Sequence, residues 1–80
     1  MIKKEKHADI FKILNESKPN IVFHCVLENQ HCIAIVHNWI FDPVFPCAIT
    51  KNEKNIRLSA ESEELEKTEG VLRCVYTYTF

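Results

Sequence analysis

The stretch from Ile21 to Pro43 constrains this chain more than any other part of it. It runs as Ile21-Val22-Phe23-His24-Cys25-Val26-Leu27, then His31-Cys32-Ile33-Ala34-Ile35-Val36, then Trp39-Ile40-Phe41-Asp42-Pro43. The breaks between these runs are only Glu28-Asn29-Gln30 and His37-Asn38. β-Branched and aromatic residues dominate each run, and each has the length of a strand rather than a helix. Breaks this short leave no room for a crossover connection, so the three runs read as an antiparallel meander.

Loop length then suggests the pairing. With Asn29-Gln30 as the first turn, Val26 opposes Ile33 and His24 opposes Ile35. With His37-Asn38 as the second, Val36 opposes Trp39 and Ala34 opposes Phe41. This register sorts Cys25, Cys32, Ala34, Val36, Trp39 and Phe41, with Phe23 and Leu27, onto one apolar face. His24, Glu28, His31 and Asp42 fall on the other face, among Val22, Val26, Ile33, Ile35 and Ile40. A slip of one residue would exchange those assignments.

The flanking segments are less dense. Ile10, Phe11, Ile13 and Leu14 repeat at helical spacing opposite Lys6, Asp9, Lys12 and Glu16, which predicts a helix over roughly residues 4–16 that ends before Pro19. Thr50-Lys51-Asn52-Glu53 has the form of a capping box and predicts a short helix starting there. Residues 59–69 are acidic, with Leu65 as the sole large apolar group. They read as a solvated helix closed by Gly70 or as a loop or frayed helix, and one leucine favours the latter. Residues 72–80 alternate and close the sheet as a final strand. The expected fold class is therefore α+β: an antiparallel sheet of about four strands packed against an N-terminal helix, in one small domain spanning residues 1–80.

Composition narrows the functional classes. In 80 residues, Lys+Arg 10 against Asp+Glu 11 gives a net charge of −1, which argues against a dedicated nucleic-acid or membrane-surface protein. No apolar run has spanning length and no signal peptide is visible, so a cytoplasmic location is expected. In such a compartment Cys25, Cys32, Cys47 and Cys74 read as reduced thiols. The His24-Cys25 and His31-Cys32 pairs do not read as a metal site. Adjacent residues of a strand point to opposite faces, and one ion cannot collect both. No metal and no cofactor are expected.

On the register above, Asp42 lies diagonal to His31 on one face, within reach of an imidazole. A carboxylate there fixes the tautomer of the ring and supports its cation, as in an acid/base pair. The plainer reading is a hairpin-end histidine and a turn-forming Asp before proline. The segment from His31 to Pro43, a His heading a hydrophobic strand and a second strand ending in Asp-Pro, resembles the His/Asp-bearing C-terminal half of papain-like cysteine peptidases. That resemblance implies an acid/base role for His31 and an orienting role for Asp42. It also implies a nucleophilic Cys on a helix before the His, and the helix at 4–16 has none. Cys25 and Cys32 fall on the face opposite His31, which leaves Cys47 as the only loop thiol.

The expected function is therefore a non-catalytic binding or association domain, an isolated or degenerate half of a papain-like fold. The alternative is a cysteine-dependent hydrolase using the His31–Asp42 pair, with its nucleophile supplied by another chain or segment. Five aliphatic side chains on the His31 face suggest self-association or docking of a protein partner, in the first instance a twofold dimer through that face.

Overall fold

The computed structural model describes residues 1–80. In chain order the elements are β1 (Ile2–Lys6), α1 (Ile10–Glu16), β2 (Ile21–Val26), β3 (Cys32–Val36), β4 (Trp39–Phe41), β5 (Ile49–Thr50), α2 (Glu53–Ser59), α3 (Ser62–Lys67) and β6 (Cys74–Thr79). The strands form one sheet in the order β1-β6-β2-β3-β4-β5, with every neighbour antiparallel. The α+β class stands, with six strands rather than about four.

Both extra strands sit at edges. Residues 2–6 pair with β6 instead of extending the helix, so the N-terminal helix starts at Ile10, not near residue 4. Asp9 caps it, its carboxylate accepting from the Phe11 amide at 2.9 Å. Local helix propensity in Lys3-Lys4-Glu5-Lys6 yields here to the open hydrogen-bonding edge of β6. At the opposite edge, Thr50 belongs to β5, and the cap of α2 is Asn52, whose side chain accepts from the Asn55 amide at 2.8 Å.

The first hairpin corrects the expected register. The Gln30 amide donates to the Leu27 carbonyl at 2.9 Å, and the Leu27 amide donates to the His31 carbonyl at 2.8 Å. Gln30 has φ 70°. The loop is thus Glu28-Asn29-Gln30, a turn followed by a left-handed residue, rather than a tight turn at Asn29-Gln30. The extra residue shifts β3 by one against β2, so Val26 opposes Cys32 and Cys25 opposes Ile33. The second hairpin matches expectation, with Val36 opposite Trp39 and Ala34 opposite Phe41.

Because side chains alternate with period two, that shift moves the whole of β3 and β4 to the other face. Ile33, Ile35 and Ile40 join Phe23, Cys25 and Val75 in the core, packed with Ile10 and Ile13 of α1, Ile56 of α2 and Leu65 of α3. The isoleucines of β3 and β4 are buried, while Val36, Trp39 and Phe41 lie on the other side. Ala34 and Cys32, which have less to gain from burial, take the other side.

The helical layer is tied together by specific contacts. Arg57 lies over the Phe11 ring, 4.7 Å from its centroid. The Lys51 ammonium donates to the Leu14 carbonyl at 3.1 Å, and burial holds its pKa below the ordinary lysine value. The acidic segment holds an ordered helix, not a loop, because Leu65 is fully buried and packs in one cluster with Ile56 of α2 and its cap residue Ala60. Gly70, at φ 80°, ends it with its amide bonded to the Leu65 carbonyl at 2.8 Å.

The helices therefore cover one face of the sheet. The other face carries Val22, His24, Val26, Tyr76, Trp39 and Phe41 among others and has no helix over it. Trp39 and Phe41 remain 50% and 48% exposed. The side of the sheet bearing Ile33, Ile35 and Ile40, expected from the sequence to be open for a dimer, is instead packed against the helical layer.

Candidate functional site: a histidine–aspartate pair at the end of the central strands

His31 immediately precedes β3 and Asp42 immediately follows β4, so the hairpin between them brings their side chains to one end of the sheet. The His31 Nε2 atom lies 2.9 Å from Asp42 Oδ1. The carboxylate can only accept, so Nε2 carries the proton and Nδ1 is left as the basic nitrogen of the ring.

Each partner is held by its own loop. Asp42 Oδ1 also accepts from the Val44 amide at 3.0 Å, and the Asp42 carbonyl accepts from Phe45 at 3.0 Å. This is the turn chemistry expected of an Asp before proline. The His31 amide donates to Asn29 Oδ1 at 3.0 Å, and the Asn29 side-chain amide donates in turn to Glu61, just before α3. The helical layer thereby braces the hairpin that presents the histidine.

The pair is sheltered but not sealed. The Asp42 side chain is 1% exposed and the His31 side chain 15%. Asp42 Oδ2 is buried and has no hydrogen-bond partner. Such a geometry can hold an imidazole in one tautomer and let it take up a proton at Nδ1.

The thiols are placed differently from expectation. Cys25 was expected opposite His31. The register shift puts it on the same covered face, where it is wholly buried. Desolvation, with lesser contributions from Cys32 and Cys74, pushes its pKa up to about 12, so it is a protonated, unreactive thiol at neutral pH. Cys32 is on the uncovered face, as is Phe41, and its thiol points to the Gln30 carbonyl at 3.5 Å. Cys74 lies opposite Val26 and is also buried. Cys47 is exposed in the 42–48 loop, which with Asp42, Phe41 and Phe45 lines a shallow pocket. The His31 ring has Asp42 as its hydrogen-bond partner and no sulfur.

Two features escaped the sequence reading. One is the Asn29–Glu61 brace, whose only sequence signal is an Asn two residues before the His. The other is a stack of His24 on Tyr76, with ring centroids 5.7 Å apart, and Lys4 over the same Tyr76 ring at 5.4 Å. The stack rests on β2 pairing with β6, and the Lys4 contact on β1 pairing with β6, which links residues at the two ends of the chain.

Comparison with family models, with curated proteins and with solved structures gave no match for this chain. No helix is long and apolar enough to cross a membrane.

Proposed function

We propose that this chain is a non-catalytic binding and association domain that works through the uncovered face of its sheet, and that it is related to the C-terminal half of a papain-like fold. The observation that carries the reading is the uncovered face itself. Strands β6, β2, β3 and β4 present aliphatic and aromatic side chains there, with Trp39 and Phe41 about half exposed. A contiguous apolar surface of this kind marks an interface. The aromatic enrichment is that of protein-binding surfaces.

The test is the double variant Trp39→Gln with Phe41→Gln. Neither ring belongs to the buried cluster, so the variant keeps its far-ultraviolet circular dichroism and its melting temperature within about 4 °C. At a dilution where any self-association is dissociated, the wild type binds an apolar dye and the variant binds much less. Unfolding of the variant, or a wild type that binds no dye, would count against an association face.

The 2.9 Å contact between His31 and Asp42 favours a second reading. Here the chain contributes the acid/base pair of a cysteine-dependent hydrolase, and the nucleophile comes from another polypeptide segment. Its mark is thiol-dependent hydrolysis of an activated ester or peptide in the presence of that segment, lost in His31→Ala. The chain by itself turns over neither substrate, because a thiol must lie within hydrogen-bond reach of its base.

A further inference from the structure

We propose that the occupant of the uncovered face is a second copy of this chain, stacked sheet to sheet about a twofold axis that runs parallel to the strands over β2. The inference rests on the association reading and adds to it the partner and its orientation. Its basis is the distribution of charge and rings across the face.

The ladders align two full rows of side chains on that face. One is Ile2–Tyr78–Val22–Val36–Trp39 and the other is Lys4–Tyr76–His24–Ala34–Phe41. β5 extends the first row by Thr50, and of the five strands that carry both rows β2 is the middle one. The lysines stand at the β1 edge, Lys4 with Lys6, and the half-exposed rings stand toward the opposite side, Trp39 and Phe41 on β4 beside the edge strand β5. Neither row contains a carboxylate. The middle strand contributes Val22 and Val26 with His24 between them, and the His24 ring is stacked on Tyr76.

A face with this layout is self-complementary in one orientation. An axis parallel to the strands and over β2 exchanges β1 with β4. Lys4 of each copy then meets the Phe41 ring of the other, and Ile2 meets Trp39. That contact repeats between copies the arrangement Lys4 already makes with Tyr76 in its own chain, and a cation over an aromatic ring is attractive. An axis running across the strands instead sets β1 on β1, so lysines face lysines and the rings gain no cation. Like charges opposed across an interface disfavour that arrangement. A mostly apolar centre, a polar edge and aromatic anchors fit a protein surface. A single-stranded nucleic acid would need cations spread along its path, and here they are confined to one strand.

Size sets the strength. Five strands about 4.8 Å apart and about five residues long present on the order of 400 Å² per copy. About 800 Å² in total lies below the roughly 1,200 Å² at which specific, stable interfaces begin, so the dimer is a weak, transient one.

The experiment is a charge exchange read by sedimentation equilibrium from micromolar to millimolar protein. The emission of Trp39, the sole tryptophan, is followed in parallel. Wild type passes from monomer to dimer with a blue shift. Phe41→Lys sets a lysine over the partner's Lys4 and raises the dissociation constant about tenfold or more. Adding Lys4→Glu to Phe41→Lys restores opposite charges across the proposed axis and recovers at least about threefold. Within one chain the two positions are four strands apart, about 19 Å, so the recovery reports contact between copies. Circular dichroism confirms that each variant is folded.

A dimer in which Lys4→Glu gives no recovery overturns the proposed orientation. A wild type that stays monomeric at millimolar concentration overturns the second copy as occupant. In that case, dye binding by the monomer leaves the association reading standing, and no dye binding removes both. A monomer that instead binds a single-stranded oligonucleotide through Lys4 and Tyr76 also overturns the proposal.

Discussion

Cys25 carries a consequence that can be measured without knowing any ligand. Its thiol is wholly buried, and desolvation pushes its pKa from 9.0 up to about 12. The unfolded thiol ionises first as pH rises. The native state holds its proton through that window, so stability is full below pH 9.0 and is lost progressively toward about 12. The loss is at most about 1.4 kcal/mol per pH unit. Denaturant unfolding at about pH 8 and about pH 10 shows a fall in midpoint that is smaller in Cys25→Ala. In the same native protein an alkylating reagent modifies the exposed Cys47 first and leaves Cys25 to react only on unfolding. The His31–Asp42 contact was legible in the sequence, because it depends on the second hairpin alone, whose two-residue turn fixes its own register. The position of Cys25 was not. It depends on the first hairpin, where a glutamine adopts the left-handed conformation usually taken by glycine or asparagine.

Among the elements, α3 shows how far composition can mislead. Six residues with one leucine promise little as an isolated helix. What holds them is tertiary: Leu65 is fully buried, and the chain leaves the helix through Gly70 under the Phe11 ring. A Cβ at Gly70 would sit 2.5 Å from Phe11 Cε2, and φ there is 80°. Gly70→Ala therefore combines left-handed backbone strain with overpacking and costs about 2 kcal/mol or more, seen as a lowered denaturant midpoint. A variant as stable as wild type would show that α3 and α1 do not depend on this approach. The edge strands were illegible for a related reason. Ile2–Lys6 has neither strand composition nor burial, and it is ordered by the free edge of β6. The two residues of β5 are too few to leave a periodic signal.

At the scale of the whole molecule, the sheet is stitched from the two ends of the sequence. β6 is inserted between β1 and β2, so two of the longest ladders join residues more than forty positions apart. Topology of this kind slows folding, since the loop-closure cost precedes the contacts that offset it. It also makes Met1 and Thr79 neighbours. The Met1 amine donates to the Thr79 carbonyl at 3.1 Å, and the Thr79 amide donates to the Met1 carbonyl at 2.9 Å. The sequence is thus linear while the fold is almost a ring. A short glycine-serine linker joining residue 80 to residue 1, with new ends opened between Phe45 and Cys47 in the exposed 43–47 turn, preserves every ladder. Such a permutant converts the slowest, end-to-end closure into a hairpin. It refolds faster than the parent chain in a stopped-flow mixing experiment, with the same circular dichroism at equilibrium. Read this way, the order in which the ribosome delivers the strands is a contingent property of this architecture.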